Sequence, residues 1–253
     1  MIITFLGTGT SQGVPVIGCT CEVCRSIDFR DKRTRTSIHL YTEGISLVVD
    51  TGPDFRQQVL REKITQLDGI LFTHEHRDHT AGLDDVRSFN FLQKGEIPIY
   101  GRKQVINQLK KEFAYIFEEH KYPGIPQVEA NVIDNKEFRL KGVNILPIEV
   151  LHHQLPVFGF RIGKFTYITD ANDIPDKEKD KIKGSKIIVV NALQQEKHIS
   201  HFNLTEAIDL IDELGPEKAY FTHISHRLGS HDQVERSLRD NIYLAYDGLK
   251  IEI

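Results

Sequence analysis

Short apolar runs rich in Ile and Val recur along this chain, bounded by Gly, Asp and Asn. They fall at 2–6, 38–41, 45–49, 69–72, 142–148, 165–168, 186–190 and 219–221, and runs of this length and β-branched content predict strands. Helical spacing is clearest in two places. Val105, Ile106, Leu109, Phe113, Ile116 and Phe117 share one face of a predicted helix of about 16 residues. Asn203-Leu204-Thr205-Glu206 has the form of a capping box. Leu204, Ala207, Ile208, Ile211 and Leu214 follow at helical spacing, and Gly215-Pro216 closes the segment. Weaker helical spacing begins after Ser230. Strands in blocks with helices between them predict an α/β domain of layered sheets covered by helices. With no repeat, low-complexity tract or linker to divide it, 1–253 reads as a single domain.

Composition narrows the partners. The net charge of −4 lacks the basic excess that neutralising many phosphates requires, so a long nucleic acid is not an expected partner. The basic run from Arg30 to Arg35 is expected to be a solvated loop. No stretch approaches the ~20 apolar residues of a membrane helix, and the apolar start at Met1 carries no basic leader. The three cysteines crowd between 19 and 24, which suits a reducing compartment and a metal better than disulfides. The expected location is the cytoplasm, with no membrane partner.

The chemistry begins at Thr73-His74-Glu75-His76-Arg77-Asp78-His79, directly after an apolar strand. Three imidazoles and a carboxylate within six positions serve no folding need, since unpaired buried polar groups are costly. Their common use is to bind a cation such as Zn, Mn or Fe. In an extended turn His74 and His76 point the same way, while Asp78 and His79 begin the next turn and face a second ion. Further ligands must then come from other strand ends. Leu151-His152-His153 follows Val150, Thr169-Asp170 follows the run at 165–168, and Thr222-His223 follows the run at 219–221. Only one of His152 and His153 is expected to face the metals. Gly7-Thr8-Gly9 lacks the third glycine of a dinucleotide fingerprint and the Lys of a P-loop. It is expected to make a tight turn near the metals.

His74-x-His76-x-Asp78-His79, followed by His153, Asp170 and His223, resembles the metallo-β-lactamase superfamily across essentially the whole chain. The resemblance implies a four-layered αβ/βα sandwich and two divalent catalytic ions, Zn or Mn or Fe. It implies His74, His76, Asp78, His79, His153, Asp170 and His223 as their ligands, with Asp50 orienting those ligands from behind. His153 rather than His152 is selected through the register of Val157-Phe158-Gly159-Phe160. The bridging aspartate, here Asp170, is similar to that of the phosphodiesterase, ribonuclease Z and glyoxalase II branches.

Leu6-Gly7-Thr8-Gly9-Thr10-Ser11-Gln12-Gly13-Val14-Pro15, the cysteines of Cys19-x-Cys21-x-x-Cys24 and Thr222-His223-Ile224-Ser225-His226 narrow this further. They resemble the phosphoribosyl cyclic phosphodiesterase family of the carbon–phosphorus lyase pathway. The resemblance implies a structural zinc on Cys19, Cys21, Cys24 and His226, a closed set of the kind such ions favour. If 222–226 is extended, His223 and His226 differ in parity and face opposite ways, one toward the catalytic ions and one toward the Cys loop. His201 matches a family histidine that handles the substrate phosphate or protonates the leaving group, and it stands before a helix N-terminus, where anions bind well.

Two divalent ions carry more charge than Asp78 and Asp170 return, which favours a small anionic substrate. The expected function is a two-metal hydrolase of a small cyclic or nucleotide-like phosphodiester, with Asp78 helping to orient the nucleophile and His201 donating a proton. A thioester or lactone hydrolase, a ribonuclease Z-like nuclease and a non-catalytic metal-bound accessory protein are the alternatives. A homodimer is compatible with each. The chain departs from the phosphodiesterase family between about Val86 and Glu129, where Phe89, Phe91, Tyr100, Tyr115 and Tyr122 are expected to fill a core.

Overall fold

A computed structural model describes residues 1–118 and 123–253, so Tyr122 lies outside the described residues. The first six strands are β1 (Ile2–Gly7), β2 (Ser37–Thr42), β3 (Ile45–Val49), β4 (Gly69–Leu71), β5 (Ile97–Gly101) and β6 (Val128–Val132). Then come β7 (Phe138–Leu140), β8 (Val143–His152), β9 (Leu155–Ile162), β10 (Phe165–Tyr167), β11 (Ile187–Asn191), β12 (Lys218–Thr222), β13 (Ile242–Leu244) and β14 (Lys250–Glu252). Between them run α1 (Glu22–Arg25), α2 (Phe55–Glu62), α3 (Arg77–Thr80), α4 (Arg87–Gln93), α5 (Lys103–Glu112) and α6 (Ala114–Phe117). The second half carries α7 (Asp176–Ile182), α8 (Leu204–Leu214) and α9 (His231–Glu235).

The strands form two seven-stranded sheets, ordered β14-β1-β2-β3-β4-β5-β6 and β13-β12-β11-β10-β9-β8-β7. Each sheet is antiparallel on one side and parallel on the other. The change falls at β3, which pairs antiparallel with β2 and parallel with β4, and at β10, which does the same with β9 and β11. Phe5, Leu40, Val49 and Leu71 of one sheet meet Phe158, Phe160, Tyr167 and Val189 of the other in a dry layer between them. The outer face of the first sheet buries Val48, Ile70 and Ile99 under α2, α4 and α5; that of the second buries Ile188, Val190 and Phe221 under α7 and α8. This is the predicted αβ/βα sandwich. Parallel strands send their C-terminal ends to one edge, where α/β folds place their chemistry.

Most predicted strands form near their expected bounds, and α8 carries the predicted capping box: Asn203 accepts from the Glu206 N–H while Glu206 accepts from the Asn203 N–H. Gly215 follows at φ 61, the left-handed stop that glycine adopts freely. The predicted helix from Val105 to Phe117 divides instead. Phe113 leaves helical geometry at ψ 42, which separates α5 from α6 while keeping Phe113 and Ile116 buried. The basic run is not a solvated loop either. Arg33 is buried, and its guanidinium donates to Thr8 Oγ1 and the Ala245 carbonyl and meets His231 Nδ1. Arg30 pairs with Asp28 and Arg35 with Asp54. These cations are spent on the protein itself.

Gly7 and Gly9 make close approaches rather than a tight turn. A Cβ on either would collide with the backbone carbonyls of Arg35 or Arg33. The space lets 8–10 run beside the last catalytic segment, with Thr10 N–H on the Ile224 carbonyl and Ile224 N–H on that of Thr8. Among the aromatics expected in a core, Phe89 is buried, whereas Phe91 is 69% exposed and Tyr115 38%. No helix among the described residues is long and apolar enough to cross a membrane.

Candidate metal centre

The strand ends deliver their donors by unusual backbone turns. Asp50, Asp170 and His223 leave β3, the β10 strand end and β12 at φ 64, 55 and 53. The left-handed region costs a non-glycine residue about 1–3 kcal/mol, and such residues persist where the surroundings impose them. Here Asn191, at the end of the buried strand β11, holds the turn after Asp170. Its side chain accepts the Ala171 N–H and donates to the Ala171 carbonyl.

Three histidines form the first group, His74 and His152 largely buried and His76 exposed. His74, His76 and His152 place one ring nitrogen each within 4.8 Å of the others. Thr73 Oγ1 donates to Asp50 and sits 2.9 Å from His74 Nδ1, so that nitrogen carries the proton and Nε2 is left with a lone pair. That Nε2 lies 2.9 Å from His76 Nδ1. His152 Nδ1 lies 2.9 Å from the Ser200 carbonyl, an acceptor, which likewise frees its Nε2. With the His76 proton on Nε2, three lone pairs converge at one point, an arrangement that suits a cation.

The second group is Asp78, His79 and His223. His79 Nδ1 lies 2.7 Å from Asp50 Oδ2, and Asp50 is itself held by the Thr73 N–H and hydroxyl. Asp50 thus holds the His79 ring directly and the His74 ring through Thr73. His79 Nε2 is then 3.2 Å from both Asp78 and Asp170, and His223 Nε2 is 3.2 Å from Asp170 and 3.8 Å from Asp78. None of these contacts has hydrogen-bond geometry, and His79 Nε2 and both His223 nitrogens are buried without a partner. Donors on one tetrahedral ion at ~2.0–2.1 Å stand roughly 3.3 Å apart, so the spacing fits coordination. Asp170 faces both groups: its Oδ2 and Oδ1 lie toward His79 and His223 of the second, and it also clusters with His74 and with His152 of the first.

The electrostatics call for positive charge. Burial opposes a proton on His79, yet Asp170, Asp78 and Asp50 outweigh it and hold that imidazole well above its ordinary range. Burial likewise opposes ionisation of Asp170, but His223 and His79 keep its carboxyl well below the usual carboxylate range. Three carboxylates thus crowd one buried histidine. Burial pushes His74 and His152 down, to the neutral form that binds metals.

His153 is the correction. It occupies the turn between β8 and β9, exposed, at φ 55, with its N–H on Asn172. His152 ends β8 paired with Leu155, and its ring lies 5.6 Å from that of His74 and 5.1 Å from that of His76. The alternation of β8 puts one of the pair on each side, and the hairpin begins one residue later than the expected register. His152→Ala is therefore expected to lower bound metal measured by elemental analysis, and His153→Ala to leave it unchanged. The reverse outcome restores His153.

His201 lies beside these donors, Nδ1 3.8 Å from Asp170 Oδ1, its ring against His152 and His223 at 4.6 and 4.8 Å. Burial pushes it down to about 3 against the pull of Asp170. Cys19, Cys21 and Cys24 place their sulfurs 3.3, 3.4 and 3.5 Å from His226 Nδ1, close to the roughly 3.5 Å expected between sulfur and nitrogen on one zinc. The Cys24 N–H and His226 draw Cys21 down to about 6, whereas burial pushes Cys24 up to about 11. Thr73 and Asn191 were not singled out in the sequence. Their signal is a hydroxyl and an amide at the ends of otherwise apolar strands.

Beside the metal loop opens a cavity of about 650 Å³ lined by Glu75, Arg102, Lys103, Gln104, Asp134 and Glu149, among others. Glu75, between His74 and His76, bonds to Gln104 across it.

A family model described as the β-lactamase superfamily domain matches residues 46–224, from β3 through the His223 turn. The chain belongs to the β-lactamase superfamily. A solved structure described as a new diphosphatase from the PhnP family is 39% identical, with a TM-score of 0.93 over 100% of this chain and 97% of that one. This β-lactamase-superfamily chain therefore stands with the PhnP family and shares its fold. An octanoyltransferase of Porphyromonas gingivalis is 38% identical over 248 residues, 97% of this chain and 50% of that protein. A ribonuclease Z of Staphylococcus epidermidis is 28% identical over 170 residues, 64% of this chain and 49% of its own length. The chain spans about half the length of these curated relatives. Zinc-bound PqqB of Methylobacterium extorquens shares the fold at a TM-score of 0.82 and 17% identity.

Proposed function

We propose that the protein is a two-metal phosphodiesterase acting on a small anionic substrate. The observation that carries this is Asp170, a buried carboxylate that lies against His79 and His223 of one donor group and clusters with His74 and with His152 of the other. His74, His76 and His152 would hold one ion, Asp78, His79 and His223 the other, and Asp170 both. When bound, such ions (Zn or Mn in this reading) supply Lewis acidity and lower the pKa of water toward neutrality. The chain's own part is to hold the donors through Asp50, Thr73 and Asn191 and to offer Asp78 to orient the nucleophile. It also keeps His201 within reach of the leaving group. Cys19, Cys21, Cys24 and His226 would hold a third, structural zinc.

A phosphoanhydride is the second substrate class, favoured by the PhnP-family relative described as a diphosphatase. Both classes present anionic oxygens to a site with cationic demand. The cavity beside Glu75 has acidic, basic and amide side chains in balance, which suits the polar, uncharged part of a small substrate. Against a tRNA substrate stands the net charge of −4. Against an accessory role stands the complete donor set. The test is turnover by Zn- or Mn-loaded protein of bis(p-nitrophenyl) phosphate and of a disubstituted diphosphate, with a phosphomonoester as control. Fully loaded protein that hydrolyses neither diester nor diphosphate is not this enzyme.

The Cys set yields its own prediction. Cys21→Ser is expected to lose about one zinc per chain by elemental analysis and to unfold at lower temperature, because binding energy at a structural zinc is folding energy. Full metal content in that variant would remove the third ion.

A further inference from the structure

The segment between β11 and α8 is a projecting loop with a pinned base. Leu193 N–H donates to the Phe202 carbonyl, Phe202 N–H to that of Ala171, and Leu204 N–H to that of Gln194. Its tip, from Gln195 to Ile199, is exposed, and His201 descends from it onto the metal donors. His198 stands on that tip with its ring 5.2 Å from that of His201, tilted by 39°. The rings of His198, His201 and His223 thus form a continuous row from solvent to the site.

One backbone segment sets the orientation of His198. Ser200 N–H donates to His198 Nδ1 at 3.4 Å, and Ser200 Oγ lies 3.3 Å from the same nitrogen. A backbone N–H can only donate, so Nδ1 is the acceptor and the neutral ring carries its proton on Nε2. The carbonyl of the same residue takes His152 Nδ1. Ser200 therefore fixes His152 with one backbone group and His198 with the other. An exposed surface histidine has no need of a fixed tautomer. One that must present an N–H to an anion does.

We propose that His198 is a substrate-binding residue, its Nε2–H donating to a phosphoryl oxygen alongside His201. The inference rests on the phosphodiesterase reading for its ligand class, an oxyanion of phosphorus. Being neither a metal donor nor beside one in the chain, His198 should affect binding more than chemistry. A hydrogen bond from an exposed donor to a charged acceptor corresponds to about a tenfold change in affinity.

The test uses metal-loaded full-length protein with two readouts, inorganic phosphate binding by calorimetry and bis(p-nitrophenyl) phosphate kinetics. His198→Ala is expected to weaken phosphate binding and raise KM about tenfold, with kcat within about threefold and metal content unchanged. His198→Gln, whose amide N–H reaches near the position of Nε2, is expected to recover most of the loss. Unchanged phosphate affinity in His198→Ala overturns the proposal and makes the residue ordinary surface. Lost metal or reduced kcat at unchanged affinity also overturns it, assigning His198 to propping Ser200 and His152. Wild-type protein that binds no phosphate overturns it as well. Wild-type protein that binds phosphate but turns over neither diester nor diphosphate sinks the function instead, while the binding arms still decide His198.

Discussion

Asp170→Ala is expected to lose at least one catalytic ion and to lower phosphodiester turnover by several orders of magnitude. The carboxylate is 2% exposed, places its oxygens against His79 and His223 of one group, and clusters with His74 and with His152 of the other, so it stands between the two. Removing it leaves those nitrogens facing a cavity, and it removes one of the three carboxylates whose charge draws a cation to His79. Loss of a shared ligand disturbs both ions at once, which is why the effect should exceed that of replacing a histidine in either group. Asp170→Asn separates the two contributions. It keeps the shape and one acceptor oxygen but not the charge, so retained metal with lost turnover would assign the carboxylate to chemistry rather than to holding ions. Elemental analysis read beside the kinetics decides. Wild-type turnover in Asp170→Ala would remove this residue from the site, and with it the argument for two ions.

Much of this site is legible because its donors follow a simple grammar, an apolar strand and then a ligand. His74, His76, Asp78 and His79 after β4, Asp170 after β10 and His223 after β12 obey it. A residue that leaves the hydrophobic period so abruptly has a polar destination. His152 and His153 show the limit. Both follow the same strand, and choosing between them requires the hairpin register, which two consecutive histidines do not encode. Only the pairing of His152 with Leu155 reveals it. The supporting residues are harder still, since Thr73 and Asn191 are common types whose importance lies in long-range hydrogen bonds.

The helices divide on similar grounds. α8 is readable because its apolar face is broad and both ends carry stop signals. α2 buries Phe55 and Gln58 and α7 buries Glu178 and Ile182, so neither presents the apolar stripe that marks a helix in sequence. Each is held by tertiary contacts instead. Glu178 accepts the Glu149 N–H and pairs with Lys181, using a buried carboxylate where a leucine would have been recognisable. Arg33 misleads in the same way. Its charge predicts solvent, and only its three partners, drawn from distant parts of the chain, account for its burial.

His201→Ala is expected to keep the fold and metals while turnover of a phosphodiester with a poor leaving group falls roughly 10²–10⁴-fold, the scale of general acid–base catalysis. Geometry alone does not separate a ligand from a proton donor here, because His201 Nδ1 is buried without a partner and groups with His152 and Asp170. Metal content separates them, since a ligand lost takes affinity for its ion with it. Within the retained-metal outcome the leaving group discriminates further. In the unliganded site burial keeps His201 neutral at ordinary pH, and the anionic substrate is the counter-charge that favours its proton. Nitrophenolate departs without protonation, so His201→Ala should lose much less on bis(p-nitrophenyl) phosphate than on an alkyl diester. Equal losses on both would assign His201 to hydrogen bonding with the phosphoryl oxygens, in common with His198, and the double variant would then lose little more phosphate affinity than the sum of the two. No loss on either substrate would leave the row of histidines without a catalytic member, and the leaving group would have to draw its proton from water.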